Sequence, residues 1–160
     1  MTYNKANKLH IVAVTAVIRN REGRYLLLKR HPREITFPNQ WCFPGGKVDG
    51  NDSVEYTLRK EVKEEAGLNL LPGKILLRDT VFTRPDGQTA LVFTYLCQAD
   101  DNSVVKLDTN DFTDYKWVIL KDLKTLEHVG VEEEINQAEK LLALGVNLEK
   151  LFTPSGPREK

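Results

Sequence analysis

Cysteine is scarce in this chain: Cys42 and Cys97 are the only two in 160 residues. They lie far apart and lack C-x-x-C spacing. That excludes a cysteine metal knuckle or a redox pair and reads as two structural thiols of a reducing compartment. Net charge is lacking too, with 23 Lys plus Arg against 23 Asp plus Glu. A broad nucleic-acid or anionic-membrane surface would show as clustered basic excess, so neither partner is expected; a small phosphate ligand needs only a local cation or metal. No apolar run approaches the roughly 20 residues that span a bilayer. The opening MTYNKANKLH is polar and has no charged-then-apolar ramp, so the expected location is cytoplasmic. His10, His31 and His128 have no HExxH or triad context and read as structural or surface residues.

What is present is ordinary for a globular chain: 41% hydrophobic and 29% charged residues. The length suits one domain with a real core, expected over 1–152, and TPSGPREK at 153–160 reads as a frayed tail. HIVAVTAVIR (10–19) predicts a strand apolar on both faces, and RYLLLKR (24–30) its return strand. PREITFPNQ (32–40) is a loop, and WCFPGGKV (41–48) a short extended piece broken by Pro44-Gly45-Gly46. A helix follows, capped by Asp52 or Ser53, with capping-box spacing between Asp52 and Glu55, a Leu58/Val62/Ala66 stripe and a stop at Gly67. Runs at 74–83 and 89–98 predict a hairpin through Arg84-Pro85-Asp86-Gly87, and 115–120 a short strand. Val131, Ile135, Ala138 and Leu142 predict a final helix over 132–144. The fold class is α/β in one domain, with an antiparallel hairpin component.

The first helix poses the chemical question. Glu61, Glu64 and Glu65 fall at i, i+3 and i+4, on one helix face beside the apolar stripe. Three carboxylates at a core boundary repel one another and resist desolvation. Mg²⁺ relieves both problems, because it takes one or two carboxylates together with waters and phosphate oxygens. A solvated face softened by Lys60 and Lys63 is the bland alternative. Gly45-Gly46 ahead of the helix lets a backbone come close to a ligand or metal.

Together these residues resemble the signature box of the Nudix hydrolases: Gly, five residues, Glu, seven residues, Arg-Glu, an aliphatic, any residue, Glu-Glu, any residue, Gly, an aliphatic. Gly46, Glu61, Val62, Glu64, Glu65, Gly67 and Leu68 match, and WCFPGGKV is similar to the usual lead-in. Box and lead-in cover under a fifth of the chain. Asp52 stands where the family has Glu, and Lys60 where it has an organising Arg whose planar fork Lys lacks.

The resemblance implies a Nudix-type α/β/α sandwich with a mixed sheet, a catalytic helix after the Gly-Gly loop, and a C-terminal helix. It implies a monomer or homodimer that hydrolyses the diphosphate link of a small-molecule nucleotide with Mg²⁺, for which Mn²⁺ can substitute. Glu61, Glu64, Glu65 and the Gly46 carbonyl become metal ligands, Lys60 a catalytic-site organiser, and Glu61 or Glu64 the general base. Asp52 and the later loop acids Asp108, Asp111 and Asp114 are weaker metal or base candidates, and could equally be ordinary loop acids. Arg30 and Gly45 are candidates for binding substrate. Phe93 and Tyr95, alternating on one strand face, are candidates to stack on a base, or else are core. A (deoxy)nucleoside triphosphate is the expected substrate, with nucleotide-pool sanitising as a role. ADP-ribose, a nucleotide sugar or a dinucleoside polyphosphate is the alternative, and a non-catalytic nucleotide-binding module the alternative of another class.

Overall fold

The computed structural model describes residues 8–148 and 150. Among the described residues, seven strands form two sheets. Strands β1 (Ile11–Ile18), β4 (Gly45–Lys47), β5 (Ile75–Thr83) and β6 (Thr89–Cys97) make a mixed four-stranded sheet in the order β4-β1-β6-β5. Strands β2 (Tyr25–Arg30), β3 (Trp41–Cys42) and β7 (Phe112–Val118) make an antiparallel one in the order β3-β2-β7. Helix α1 (Val54–Ala66), a 3-10 helix (Leu120–Thr125) and α2 (Val131–Ala143) complete the described elements.

Apolar residues of β1 and β2 point both ways, so the sheets carry a core on each face. Val14, Ala16, Ile18, Leu26 and Leu28 pack with Leu58, Val62 and Ala66 of α1. Val17, Tyr25 and Leu27 pack with Val131, Ile135 and Ala138 of α2 on the other side. Each fully buried Val, Leu or Ile side chain among them contributes about 1.5–3 kcal/mol. The helical stripes of both helices are the ones predicted.

Several boundaries differ from the sequence reading. β2 is no hairpin partner of β1: beyond a single bridge, Arg19 to Tyr25, the chain crosses into the other sheet. β1 instead pairs in parallel with β6, from Ile11↔Ala90 to Ile18↔Cys97. The 41–48 stretch also divides. Trp41–Cys42 joins one sheet and Gly45–Lys47 the other, with Phe43-Pro44 as the switch; proline has no N–H for a ladder, but its carbonyl accepts from Ala16 N–H. β7 runs from Phe112 to Val118 rather than over 115–120, and its residues from Thr113 to Lys116 are exposed. Ser53, not Asp52, caps α1: its Oγ accepts from Tyr56 N–H. The predicted 84–87 turn closes β5 onto β6. The expected tail at 153–160 lies outside the described residues.

Gly67 ends α1 at φ 70°, a left-handed conformation that glycine adopts without steric cost. The free carbonyls of the last turn are taken by the following loop: Lys106 N–H donates to Ala66 O and Asp108 N–H to Glu65 O. This ties the 106–111 loop to the acidic end of the helix.

Candidate active site

The site is built where β4 passes between β1 and α1. Gly45 lies opposite Thr15, and a Cβ there would stand 2.1 Å from Val14 O. At Gly46 a Cβ would stand 2.5 Å from Glu61 Cδ. Only glycine permits this approach, which seats the Glu61 carboxylate on the strand and lets Gly45 N–H donate to Glu65 Oε2 at 2.9 Å. Burial pushes the Glu65 carboxyl up to about 8, with Glu61 and Asp111 adding to the rise and the Gly45 N–H and Arg30 opposing it. Burial also raises Glu61, with help from Glu64 and against the pull of Lys60.

The remaining predicted residues sort by distance from this pair. Glu64 is exposed on the same helix. Lys60 Nζ lies 3.8 Å from Asp52 Oδ2 and 3.9 Å from Asp49 Oδ2. The two departures from the family pattern therefore face each other. Arg30 donates to Thr36 O and Glu34 Oε2, and its charge bears on Glu65. Of the three later acids, Asp111 is the one whose charge is felt by both Glu61 and Glu65. Asp108 is spent on a turn, accepting from Asn110 N–H, and Asp114 is exposed on β7 opposite Lys29.

A cleft of about 400 Å³ reaches this region at Thr15, the register partner of Gly45. Its floor is Thr15, Thr80, Val92 and Thr94 of the four-stranded sheet, and its walls include Phe37, Phe43, Phe82 and Val129. Cys42 links the two regions, since it lines the cleft and feels the charges of Arg30 and Glu65. Burial pushes its thiol up to about 12, so it is no nucleophile. Phe37 is held at φ 52°, a strained conformation for an aromatic residue. Arg78 and Glu134 also line it, the latter with its carboxyl raised by burial and lowered by its own N–H and Arg78.

Phe93 and Tyr95 are not in this cleft. Strand alternation turns them to the other face of β6, where they pack on the α1-side core, while Val92 and Thr94 reach the cleft. Thr15, Phe37, Phe43, Phe82, Arg78 and Glu134 are not singled out by the sequence, and Cys42 is read from it only as a structural thiol. Glu134 had a readable signal: it occupies i+3 from Val131 on the apolar stripe of α2, where a carboxylate is out of place.

Do these residues suit a divalent cation? Among the described residues, no three Asp, Glu, His or Cys side chains converge as a ready coordination shell. The expected triplet is therefore splayed, as unneutralised like charges should be. The donor set nevertheless fits. Two crowded carboxylates with raised proton affinity lie on a glycine strand that leaves no side chain in the way, and Mg²⁺ needs only one or two of them.

The model of the NUDIX domain matches residues 9–153, and the chain belongs to this family. It is 37% identical over 123 residues to the nucleoside triphosphatase NudI of Klebsiella pneumoniae (strain 342), covering 71% of this chain and 85% of that protein. The fold is similar to the MutT NUDIX hydrolase of Burkholderia pseudomallei (TM-score 0.69, 27% identity, 81% of this chain and 98% of that one). It is also similar to the MutT protein of Methanosarcina mazei Go1 (TM-score 0.67, 26% identity, 86% and 96%). The expected α/β sandwich of this family is thereby found, and the chain is a hydrolase of phosphoanhydride bonds.

Proposed function

We propose that this chain is a Mg²⁺-dependent pyrophosphohydrolase of (deoxy)nucleoside triphosphates. The observation that carries the reading is the seating of Glu61 and Glu65 on Gly45-Gly46, whose strand neighbour Thr15 lines a cleft of about 400 Å³. The relative named a nucleoside triphosphatase supports the substrate class. Glu61, Glu64, Glu65 and the Gly46 carbonyl would hold the cations, with Asp111 the later-loop acid whose charge bears on both Glu61 and Glu65. Bound cations neutralise phosphate oxygens and make water acidic enough to attack.

The chain's own residues supply the rest. Water oxygen bonds to phosphorus, the bridging P–O bond breaks, and the leaving phosphate takes its electron pair. The water proton passes to a carboxylate of α1. Glu61 and Glu64 have no hydrogen-bond or ion-pair partner among the described residues and are free to accept it. Gly45 N–H holds Glu65 in place. Lys60 steadies the loop acids Asp49 and Asp52 and tempers the charge on Glu61.

The test is product analysis on a panel of nucleotides with Mg²⁺, with Mn²⁺ and with chelator. Triphosphates should give the highest kcat/KM, chelator should abolish turnover, and Glu64→Gln or Glu65→Gln should cut kcat by about 10²-fold or more. Tight nucleotide binding without any cleavage would overturn the reading.

A further inference from the structure

Four side-chain polar atoms are buried without a hydrogen-bond partner among the described residues: Arg19 Nε, Gln98 Oε1, His128 Nδ1 and Glu134 Oε2. Of these residues, Glu134 alone lines the cleft that includes Thr15. Its residue exposure is 7%. An unpaired buried acceptor costs about 1–3 kcal/mol, more when charged. The local chemistry could have removed that cost and does not. Arg78 is the one cation at hand, yet its guanidinium pairs closely with Glu133 and reaches only Glu134 Oε1, at 3.4 Å. Oε2 is thus left as an acceptor among apolar and aromatic walls, Phe43, Phe82 and Val129 among them.

We infer that Glu134 reads the nucleobase: its free Oε2 accepts a hydrogen bond from a ring or amino N–H on the base's pairing edge, while the aromatic walls hold the ring. The inference rests on the nucleotide reading above and adds to it the residue that selects the base. Its physical sense is that of a site built for a donor. A base without that N–H leaves a buried acceptor unpaired, and such sites discriminate strongly. The cleft that Glu134 lines also includes Thr15, the register partner of Gly45, and Cys42, which feels the charge of Glu65.

The experiment compares dTTP with N3-methyl-dTTP and dGTP with N1-methyl-dGTP, in wild type, Glu134→Gln and Glu134→Met. Wild type should disfavour the methylated member of at least one pair by about ten-fold or more in KM, the size of one charge-assisted hydrogen bond. Glu134→Met should erase that preference by raising KM for the normal substrate, with kcat kept and Tm equal or higher, because an unpaired oxygen has been removed. Glu134→Gln, which keeps an acceptor, should retain part of the preference. Unchanged base ratios in Glu134→Met, or a lowered Tm with ratios intact in both variants, would overturn the inference and leave the hydrolase reading standing. If wild type cleaves no nucleotide, the hydrolase reading falls. Binding of the corresponding monophosphates then decides: a preference for the N–H form that Glu134→Met abolishes upholds the inference, and equal affinities sink it.

Discussion

Two neighbouring glycines do different jobs, and substitution should separate them. In Gly45→Ala the new methyl would meet the Val14 carbonyl and Thr15 Cα, both backbone atoms that cannot swing away. Overpacking of that kind costs about 1–3 kcal/mol, so a lowered Tm is expected. In Gly46→Ala the new methyl meets only the flexible end of Glu61. That side chain can move, so Tm should hold while kcat falls as the carboxylate leaves its seat. Equal effects of the two changes on Tm and kcat would refute this division. Glu65 makes a second case. Its folded carboxyl is raised from 4.5 to about 8. Below pH 4.5 it is protonated in both states and costs the fold nothing. Between 4.5 and 8 it ionises first in the unfolded chain, so the metal-free protein should lose stability as pH rises through that window. Melting curves from pH 5 to 8 should show this slope in wild type and a flatter one in Glu65→Gln. Mg²⁺, which binds the ionised form, should offset the loss most at pH 8. A slope unchanged by the substitution would refute the assignment to Glu65.

At the scale of the element, α1 joins stability to chemistry. Its N-terminus is held by Ser53 Oγ, its stripe by the core, and its C-terminus by Gly67 and the 106–108 backbone. Ser53→Ala should cost about 1 kcal/mol, seen as a lower Tm with little change in kcat, because the cap lies two turns from Glu61. A kcat loss without a Tm loss would mean that Ser53 touches the substrate. The helix was legible in sequence because its signals are local: stripe, cap, stop. The 84–87 hairpin was legible for the same reason. The partner of β2 was not, since apolar runs such as YLLLK fit any sheet that needs a strand buried on both faces. The parallel pairing of β1 with β6 joins residues 79 apart, as in Ile11↔Ala90, and no local pattern encodes it. The start of β7 lies outside the expected span because Thr113 and Asp114 look like loop residues, and β7 is exposed throughout Thr113 to Lys116.

At the scale of the whole molecule, the cleft is the product of assembly. Its lining comes from β1, the 31–40 loop, β3, β5, β6 and the start of α2. Phe82 on its wall is 49% exposed, so the fold gains little from it. Phe82→Ala should therefore leave Tm nearly unchanged and raise KM about ten-fold, within the roughly 1–3 kcal/mol of a base stacked on an aromatic ring, with kcat preserved. A fall in kcat at constant KM would show that the ring does not bind there. The acidic box was readable because its carboxylates sit at fixed helical spacing on one short segment, and periodicity carries that information along the chain. Phe93 and Tyr95 were read onto the right strand, but which face of that strand meets the cleft and which the α1 core depends on packing. By itself the sequence determined the helices, the turns, the glycine approach and the family. Tertiary structure alone decided which loop acid approaches the cluster, which strand neighbours which, and that Glu134 is buried without a partner. Contacts between distant segments depend on how two cores close around one sheet layer, and no spacing along the chain records that closure.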